Sequence, residues 1–350
     1  MLRRSPIIFA SLGICGVFAI ASAMRTGDAP GSQMRTFAAA WIETLDDAQK
    51  AKALVDYSSK ERTNWNFIPL PTRKGLPLME MNAAQQAAAL RTVRAALSEA
   101  GYDKTSKIMQ MESVLRILEG PGSEEKRNPE KYYTTIYGTP SDQGTWGFSF
   151  EGHHLSLNFV CRDGVVVDSS PQFFAANPAK LSSEVKGPLP KGTQILRQEE
   201  ELAFELINKL PTRQQELATI AEQSLPEIRF ASMPQPEVTE PEGLVMSEMD
   251  REGQSRLKQL IEVYANAVPD KVAADRMQII ESDGPEAIYF AWAGAKKPGI
   301  GHYYRIQGKS FLIEFVNTQP DAEGNPANHI HAVYRDMTGD FDLPINAAKE

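Results

Sequence analysis

The spacing of hydrophobic and polar positions in the first half of the chain predicts helices followed by strands. From Met34 to Tyr57, apolar residues recur at helical spacing, which indicates one or two amphipathic helices. We expect a further helix from Asn82, whose side chain can cap it, to Leu97, and another from Thr105 to Leu118. From Tyr132 the pattern becomes an alternation, which is typical of antiparallel strands joined by glycine turns.

The second half of the chain shows the same order of patterns. It follows the loop-like segment GPLPKG at residues 187–192. The expected elements are helices over Gln198–Leu210, Thr212–Gln223 and Asp250–Ala267, a short helix near Lys271–Met277, and strands from Met277 to Arg335.

The strand segments of the two halves also resemble each other directly. WGFSFEGHHLSLNFV and HYYRIQGKSFLIEFV align without a gap, so that Gly152 falls on Gly308 and Phe159 on Phe315. This favours an internal duplication over the alternative of two unrelated helix-plus-hairpin units with the same turn chemistry. We therefore predict an α+β fold whose two duplicated halves, residues 35–190 and 191–345, pack as one unit after a linker at 24–34.

The first 23 residues have the pattern of a secretory signal. Arg3 and Arg4 precede an apolar run, which ends in the small residues Ala21-Ser22-Ala23. The prediction is a secreted or periplasmic protein, and the alternative is an uncleaved N-terminal membrane anchor.

Composition and charge limit the classes of partner. The chain has 350 residues, of which 42% are hydrophobic and 23% charged, as in ordinary globular proteins. Removing the signal removes two arginines and moves the net charge from −8 to −10, which makes nucleic acid an unfavourable partner. Cys161 would then be the only cysteine, so no intramolecular disulfide is expected. We interpret it as a core residue, with a thiolate metal ligand as the less favoured alternative.

All five histidines fall in two short segments that are predicted to be strands. His329 and His331, in NHIHAVYRD, are two residues apart, so a strand directs both side chains to one face. Such a pair can bind one zinc ion at about 2.0–2.1 Å per nitrogen. His302, or one of the adjacent His153 and His154, is a candidate third ligand. Only one of those two neighbours should join, and the other can orient it.

Other polar residues of these strands are candidates for supporting roles. Glu314 interrupts the apolar run FLIEFV, so it needs a partner such as Arg305, an imidazole or a metal. We consider Glu314 a candidate general base and Arg305 a candidate clamp for an anionic group, with Arg335 as another residue able to bind anions. The alternatives are an exposed Glu314 and structural ion pairs for the arginines.

Several quoted segments together resemble a known protein family. The segments GHHLSLN, HYYRIQG-x-SFLIE and NHIHAV-x-RD resemble those of secreted, mostly bacterial proteins catalogued only as a domain of unknown function. The likeness extends over roughly residues 37–342. It implies one domain unit across both halves and implies no activity, substrate or cofactor.

These observations favour a secreted, metal-dependent enzyme acting on a small-molecule or anionic substrate. Its metal ligands would be His302, His329 and His331, with His154 or His153. Zinc is the first candidate metal and copper or iron the next, and hydrolysis is favoured over oxidation. The alternatives are a metal-free acid/base or ligand-binding cluster, a non-catalytic periplasmic protein that binds a metal or small anion, structural or solvated histidines, and a structural or interaction module. Walker A, G-x-S-x-G and H-E-x-x-H motifs do not occur in the sequence.

Overall fold

One continuous sheet forms the centre of the protein, whose computed structural model describes residues 29–345. Within this range the sheet has 13 strands, most of them antiparallel, and eight α-helices accompany it. The α+β class predicted from the sequence is therefore confirmed. The predicted signal segment, residues 1–23, lies outside the described residues.

The helices occur in two groups along the chain. They are α1 (Pro30–Glu43), α2 (Asp47–Ala53), α3 (Ala83–Ala96), α4 (Glu99–Glu119), α5 (Arg197–Lys209), α6 (Thr212–Ala218), α7 (Arg251–Ala265) and α8 (Asp270–Ser282). Short 3-10 helices cover Lys60–Thr63, Leu78–Glu80, Met246–Glu248 and Asp340–Asp342. No helix within residues 29–345 combines the length and apolar character needed to cross a bilayer.

The longer strands follow each helical group, and four short strands lie between helices. They are β1 (Leu54–Val55), β2 (Leu76–Pro77), β3 (Tyr133–Tyr137), β4 (Thr145–Gly152), β5 (Leu155–Arg162), β6 (Val165–Asp168), β7 (Gln172–Ala176), β8 (Thr219–Ala221), β9 (Leu244–Val245), β10 (Tyr289–Gly294), β11 (His302–Gln307), β12 (Phe311–Gln319) and β13 (His329–Asp336). Their order across the sheet is β1-β3-β4-β5-β7-β13-β12-β11-β10-β8.

The two halves of the sheet have matching topology. The edge strands β1 and β8 run parallel to β3 and β10, and β2 and β9 pair antiparallel with the same two strands. The halves join where β7 pairs antiparallel with β13. This common order is what two related halves would have, while their origin by duplication stays a prediction.

Local sequence signals explain where several helices begin. The side chain of Asn82 accepts hydrogen bonds from the main-chain N–H groups of Ala84 and Gln85, and Asp250 caps α7 through Gly253. Two predicted ends are wrong. The helix predicted to run to Gln223 ends at Ala218 and continues into β8. Helix α8 extends to Ser282 because it buries Ala273 and Ile280 at helical spacing, so the next strand begins at Tyr289 rather than Met277.

The two faces of the sheet are covered in different ways. One face packs on the helices through a core that includes Tyr304 and Phe315. The other face, which we call the loop-covered face, carries Phe173, Val316 and Val333. Connecting segments cover it with Trp65, Phe67, Ile228 and Phe341. Because both faces are buried, strands such as FLIEFV are apolar almost throughout.

Candidate metal centre

Two histidines reach the loop-covered face from β13, the strand at the junction of the halves. His331 lies opposite Val316 of β12 on one side and Ala175 of β7 on the other. His329 is two residues earlier on the same strand, and its Nε2 is 3.1 Å from the Nε2 of His331. The expected common face of the H-x-H pair therefore brings two imidazole nitrogens into contact.

His154 reaches the same place from the turn between β4 and β5. Its φ of 62° is in the left-handed region, which costs a non-glycine residue on the order of 1 kcal/mol. Two main-chain bonds of 2.9 Å hold this conformation, from His154 N–H to the Phe67 carbonyl and from Ala175 N–H to the His154 carbonyl. The Nε2 of His154 lies 2.9 Å from the Nε2 of His329.

Close packing at Gly152 fixes the path of this turn. A Cβ atom there would lie 2.3 Å from the ring of Tyr132, so only glycine fits. The hydroxyl of Tyr132 donates a hydrogen bond of 2.9 Å to the His153 carbonyl. Tyr132 thereby holds the residue before His154, while main-chain hydrogen bonds hold His154 itself.

Of the three side chains, His154 and His331 are buried and His329 is partly exposed. Their ligand atoms all lie within 4.8 Å of one another, close enough to hold a metal ion. Both carboxylate oxygens of Glu227 are 2.8 Å from Nδ1 of His331. We therefore place the proton of that ring on Nδ1, which leaves the lone pair on Nε2. The Nε2 of His329 touches two other ring nitrogens, and a single proton or lone pair cannot make a full hydrogen bond to both.

Electrostatics favour neutral rings at His154 and His329. Burial, together with the nearby His331 and Arg127, lowers the pKa of His329 to about 3. Burial also holds the pKa of His154 well below its usual range, with a contribution from His153 and the other rings. Neutral imidazole is the form that binds a metal.

A second group, formed by Glu112, Arg127 and His153, packs against His154. The ring of His153 stacks on that of His154 with centroids 3.6 Å apart, and Nδ1 of His153 is 2.5 Å from Oε1 of Glu112. Glu112, His153 and His154 also lie close enough together to hold a metal ion. However, Nη1 of Arg127 is 2.9 Å from the same Nδ1. Two bonds to Glu119, of 2.6 and 2.9 Å, fix that guanidinium. A cation is therefore already present here, and we interpret this group as the support of His154.

His302 does not belong to either group, contrary to the expectation from the sequence. On β12, His302 pairs with Asn317 while His331 pairs with the adjacent Val316, so the two rings leave opposite faces of the sheet. The ring of His302 packs against Trp292, Phe204 and Phe315 on the helical side. Its Nδ1–H donates to the Ile300 carbonyl at 2.9 Å. The proposed ligand set must be corrected at this position.

Glu314 and Arg305 are also engaged elsewhere. Glu314 is fully buried and accepts hydrogen bonds from the Tyr303 hydroxyl at 2.5 Å and from Arg229 Nε at 3.0 Å. Arg305 donates to Glu242 at 2.7 Å. The sequence correctly indicated that Glu314 needs a partner, but the partners differ from those expected. The geometry gives no support to Glu314 as a base or Arg305 as a clamp in the histidine group.

Arg335 is likewise structural. It pairs with the buried Asp340 at 2.5 Å and donates to the carbonyls of Phe230 and Met233. Sequence reasoning also missed Glu227, Glu112 and Arg127, which contact the histidines. Only Glu112 carried a local signal, because it lies on the predicted helix from Thr105 to Leu118 at a position that faces inward.

The fold and this site define an α+β protein with a largely buried histidine cluster whose ligand atoms lie close enough together to hold a metal ion. The chain belongs to the family described as "Protein of unknown function (DUF3500)", which it matches over residues 27–343. This confirms the resemblance that the strand segments indicated. No curated protein and no solved structure matches the chain.

Proposed function

We propose that this protein is an exported metal-dependent enzyme, with hydrolysis favoured over oxidation. Its metal ligands would be the Nε2 atoms of His154, His329 and His331. Zinc is the first candidate, with copper or iron as alternatives. Export is inferred from the signal-like pattern of residues 1–23.

The observation that carries the proposal is the convergence of three ring nitrogens from distant parts of the chain. Their contacts of 2.9 and 3.1 Å are close to the separation of about 3.3 Å between neighbouring ligands of a tetrahedral zinc ion. These two separations would each need to lengthen by only a few tenths of an ångström for coordination. A cation among these nitrogens also uses the lone pairs that hydrogen bonds cannot all satisfy.

The number and exposure of the ligands favour an enzyme over a carrier. Three protein ligands leave one position of a tetrahedral ion for water or substrate, which is the arrangement of catalytic zinc sites. His329 is partly exposed while His154 and His331 are buried, so an approach from solvent would pass His329. Bound there, a divalent metal would polarise a substrate oxygen or activate water.

The positions of carboxylates support the same interpretation. Glu227 orients His331 by accepting its Nδ1–H, as carboxylates commonly do for metal-binding histidines.

A non-catalytic metal-binding protein is the second candidate, because two of the three rings are buried and a site of this kind also suits tight storage of an ion.

Metal analysis of matched variants tests the proposal. The protein loaded with zinc and then desalted is expected to retain one ion per chain, and the double variant His329→Ala/His331→Ala is expected to lose it. His302→Phe is the control, since it removes an imidazole on the other face of the sheet and should keep the ion. Circular dichroism confirms that each variant is folded. Retention of one ion by the double variant would contradict the ligand assignment.

A further inference from the structure

A cleft with an excess of positive charge lies next to the second histidine group. Its volume is about 460 Å³. The cations that line it, which define what we call the basic cleft, are Lys52, Arg73, Lys74 and Lys131. A volume of this size suits a small metabolite. The local excess of cations is unexpected in a chain whose net charge is −8.

Of these four cations, Lys131 and Arg73 are not held by a close carboxylate, whereas the other two are. Lys52 pairs with Glu80, and Lys74 pairs with Glu151 at 2.9 Å. The side chain of Lys131 is only 12% exposed, and its nearest carboxylate, that of Glu125, is 3.8 Å away on a side chain that is 88% exposed.

Arg73 donates instead to the main-chain carbonyls of Asn66, at 2.8 Å, and Ile68. A partly buried cation whose bonds go to neutral groups keeps most of its attraction for an anion. Arg73 and Lys131 are therefore the strongest anion-binding groups of the basic cleft.

A second, much smaller cavity shares wall residues with the basic cleft and borders His153. That cavity also has Arg73 and Lys131 in its wall, together with Lys126, Glu112 and His153. The ring of His153 stacks directly on His154, one of the three proposed ligands. The shared cations thus lie beside the ring that stacks on the proposed metal centre.

We propose that the basic cleft binds the oxyanion of a small molecule, a carboxylate or a phosphate, through Lys131 and Arg73. Lysine supplies a point charge and arginine a planar set of donors, and both suit such oxyanions. The exposed Glu80 and Glu125 in the same lining would select against molecules with a second negative charge at the outer end. That this anion belongs to the substrate rests on the proposed function, whereas its binding does not.

Calorimetric titration tests the proposal with the monocarboxylate butyrate and, separately, inorganic phosphate, at an ionic strength kept constant with chloride. We expect saturable binding of at least one anion by the whole protein. Lys131→Gln should weaken it about tenfold or more, because a charge-assisted hydrogen bond is lost. Lys131→Arg should restore most of the affinity. Lys258→Gln, which removes an exposed lysine paired with Glu281, is the matched control and should bind as the parent does.

The two arms identify the kind of oxyanion, and the outcomes separate this proposal from the proposed function. Absence of saturable binding of both anions, or equal binding by Lys131→Gln, would overturn the cleft assignment alone, even if one zinc ion is retained. Binding that depends on Lys131 and persists in His329→Ala/His331→Ala would support the basic cleft, even if the metal centre proved wrong.

Discussion

At the residue scale, the site depends on side chains whose neighbours in sequence say little about their role. Strand alternation was enough to place His329 and His331 on one face, because that rule is local. Nothing in the local sequence shows that His154 rather than His153 joins the site. The direction of the His154 side chain depends on its left-handed backbone conformation, which main-chain hydrogen bonds to Phe67 and Ala175 hold. Glu227 comes from a loop without periodicity, so its contact with His331 could not be predicted.

Glu227→Gln tests the orienting contact. An amide accepts a weaker hydrogen bond from Nδ1–H, so the zinc affinity should fall by about 10- to 100-fold while the stoichiometry at saturation stays at one. Competition with a chromophoric chelator measures this. Glu281→Gln, which changes an exposed glutamate, should bind zinc as the parent does. Equal affinities of the parent and Glu227→Gln would show that Glu227 does not orient a ligand.

Glu112 should make the stability of the metal-free protein depend on pH. Burial raises its pKa from 4.5 to about 8, against the lowering effect of Arg127. Because the folded state then holds the proton more tightly than the unfolded state, this contribution is complete below pH 4.5 and is lost as the pH rises toward 8. Relative to Glu112→Gln, the parent should lose up to about 1.4 kcal/mol per pH unit between pH 6.5 and 8. Urea unfolding in the presence of a chelator measures the difference. Parallel plots of unfolding free energy against pH for the parent and Glu112→Gln would contradict a protonated Glu112 carboxyl.

At the element scale, the sequence predicted the kinds of element well and their contacts poorly. Helical spacing and the caps at Asn82 and Asp250 located α3 and α7, because these signals act within one helix. His302 misled because its face depends on the register of β11 with β12, which the residues of β11 alone do not determine. Likewise, the partner of Glu314 could not be predicted, because it is Arg229, which lies in a distant connecting segment.

Gly152→Ala tests whether the β4–β5 turn positions His154. The added methyl collides with the Tyr132 ring, so we expect a loss of about 1–3 kcal/mol in unfolding free energy together with weaker zinc binding. Gly144→Ala is the matched control in another turn. Its φ is 79° with no atom within 4 Å of the added Cβ, so it should cost about 1 kcal/mol and leave zinc binding unchanged. Unchanged zinc affinity in Gly152→Ala would show that the β4–β5 turn does not position His154 for zinc binding.

At the scale of the whole molecule, the centre joins the two halves of the sheet. His154 comes from the first half and His329 and His331 from the second, with β7 between them. The sequence predicted the α+β class and the repeated order of elements. The junction itself could not be predicted, because β7 and β13 are far apart in the chain and pair only in the folded sheet.

Zinc should therefore stabilise both halves together. With free zinc at 100 times its dissociation constant, the unfolding free energy should rise by about 2.7 kcal/mol. Since the sheet is continuous, thermal unfolding followed by calorimetry should show one transition that moves as a unit. Two transitions, of which zinc moves only one, would contradict a site shared between the halves.

The most direct test of the central claim is anomalous diffraction at the zinc edge from crystals of the zinc-loaded protein. We predict one strong peak at about 2.0–2.1 Å from the Nε2 atoms of His154, His329 and His331. A peak at His302 or at the surface, or no peak among these three rings in a crystal that contains zinc, would contradict it.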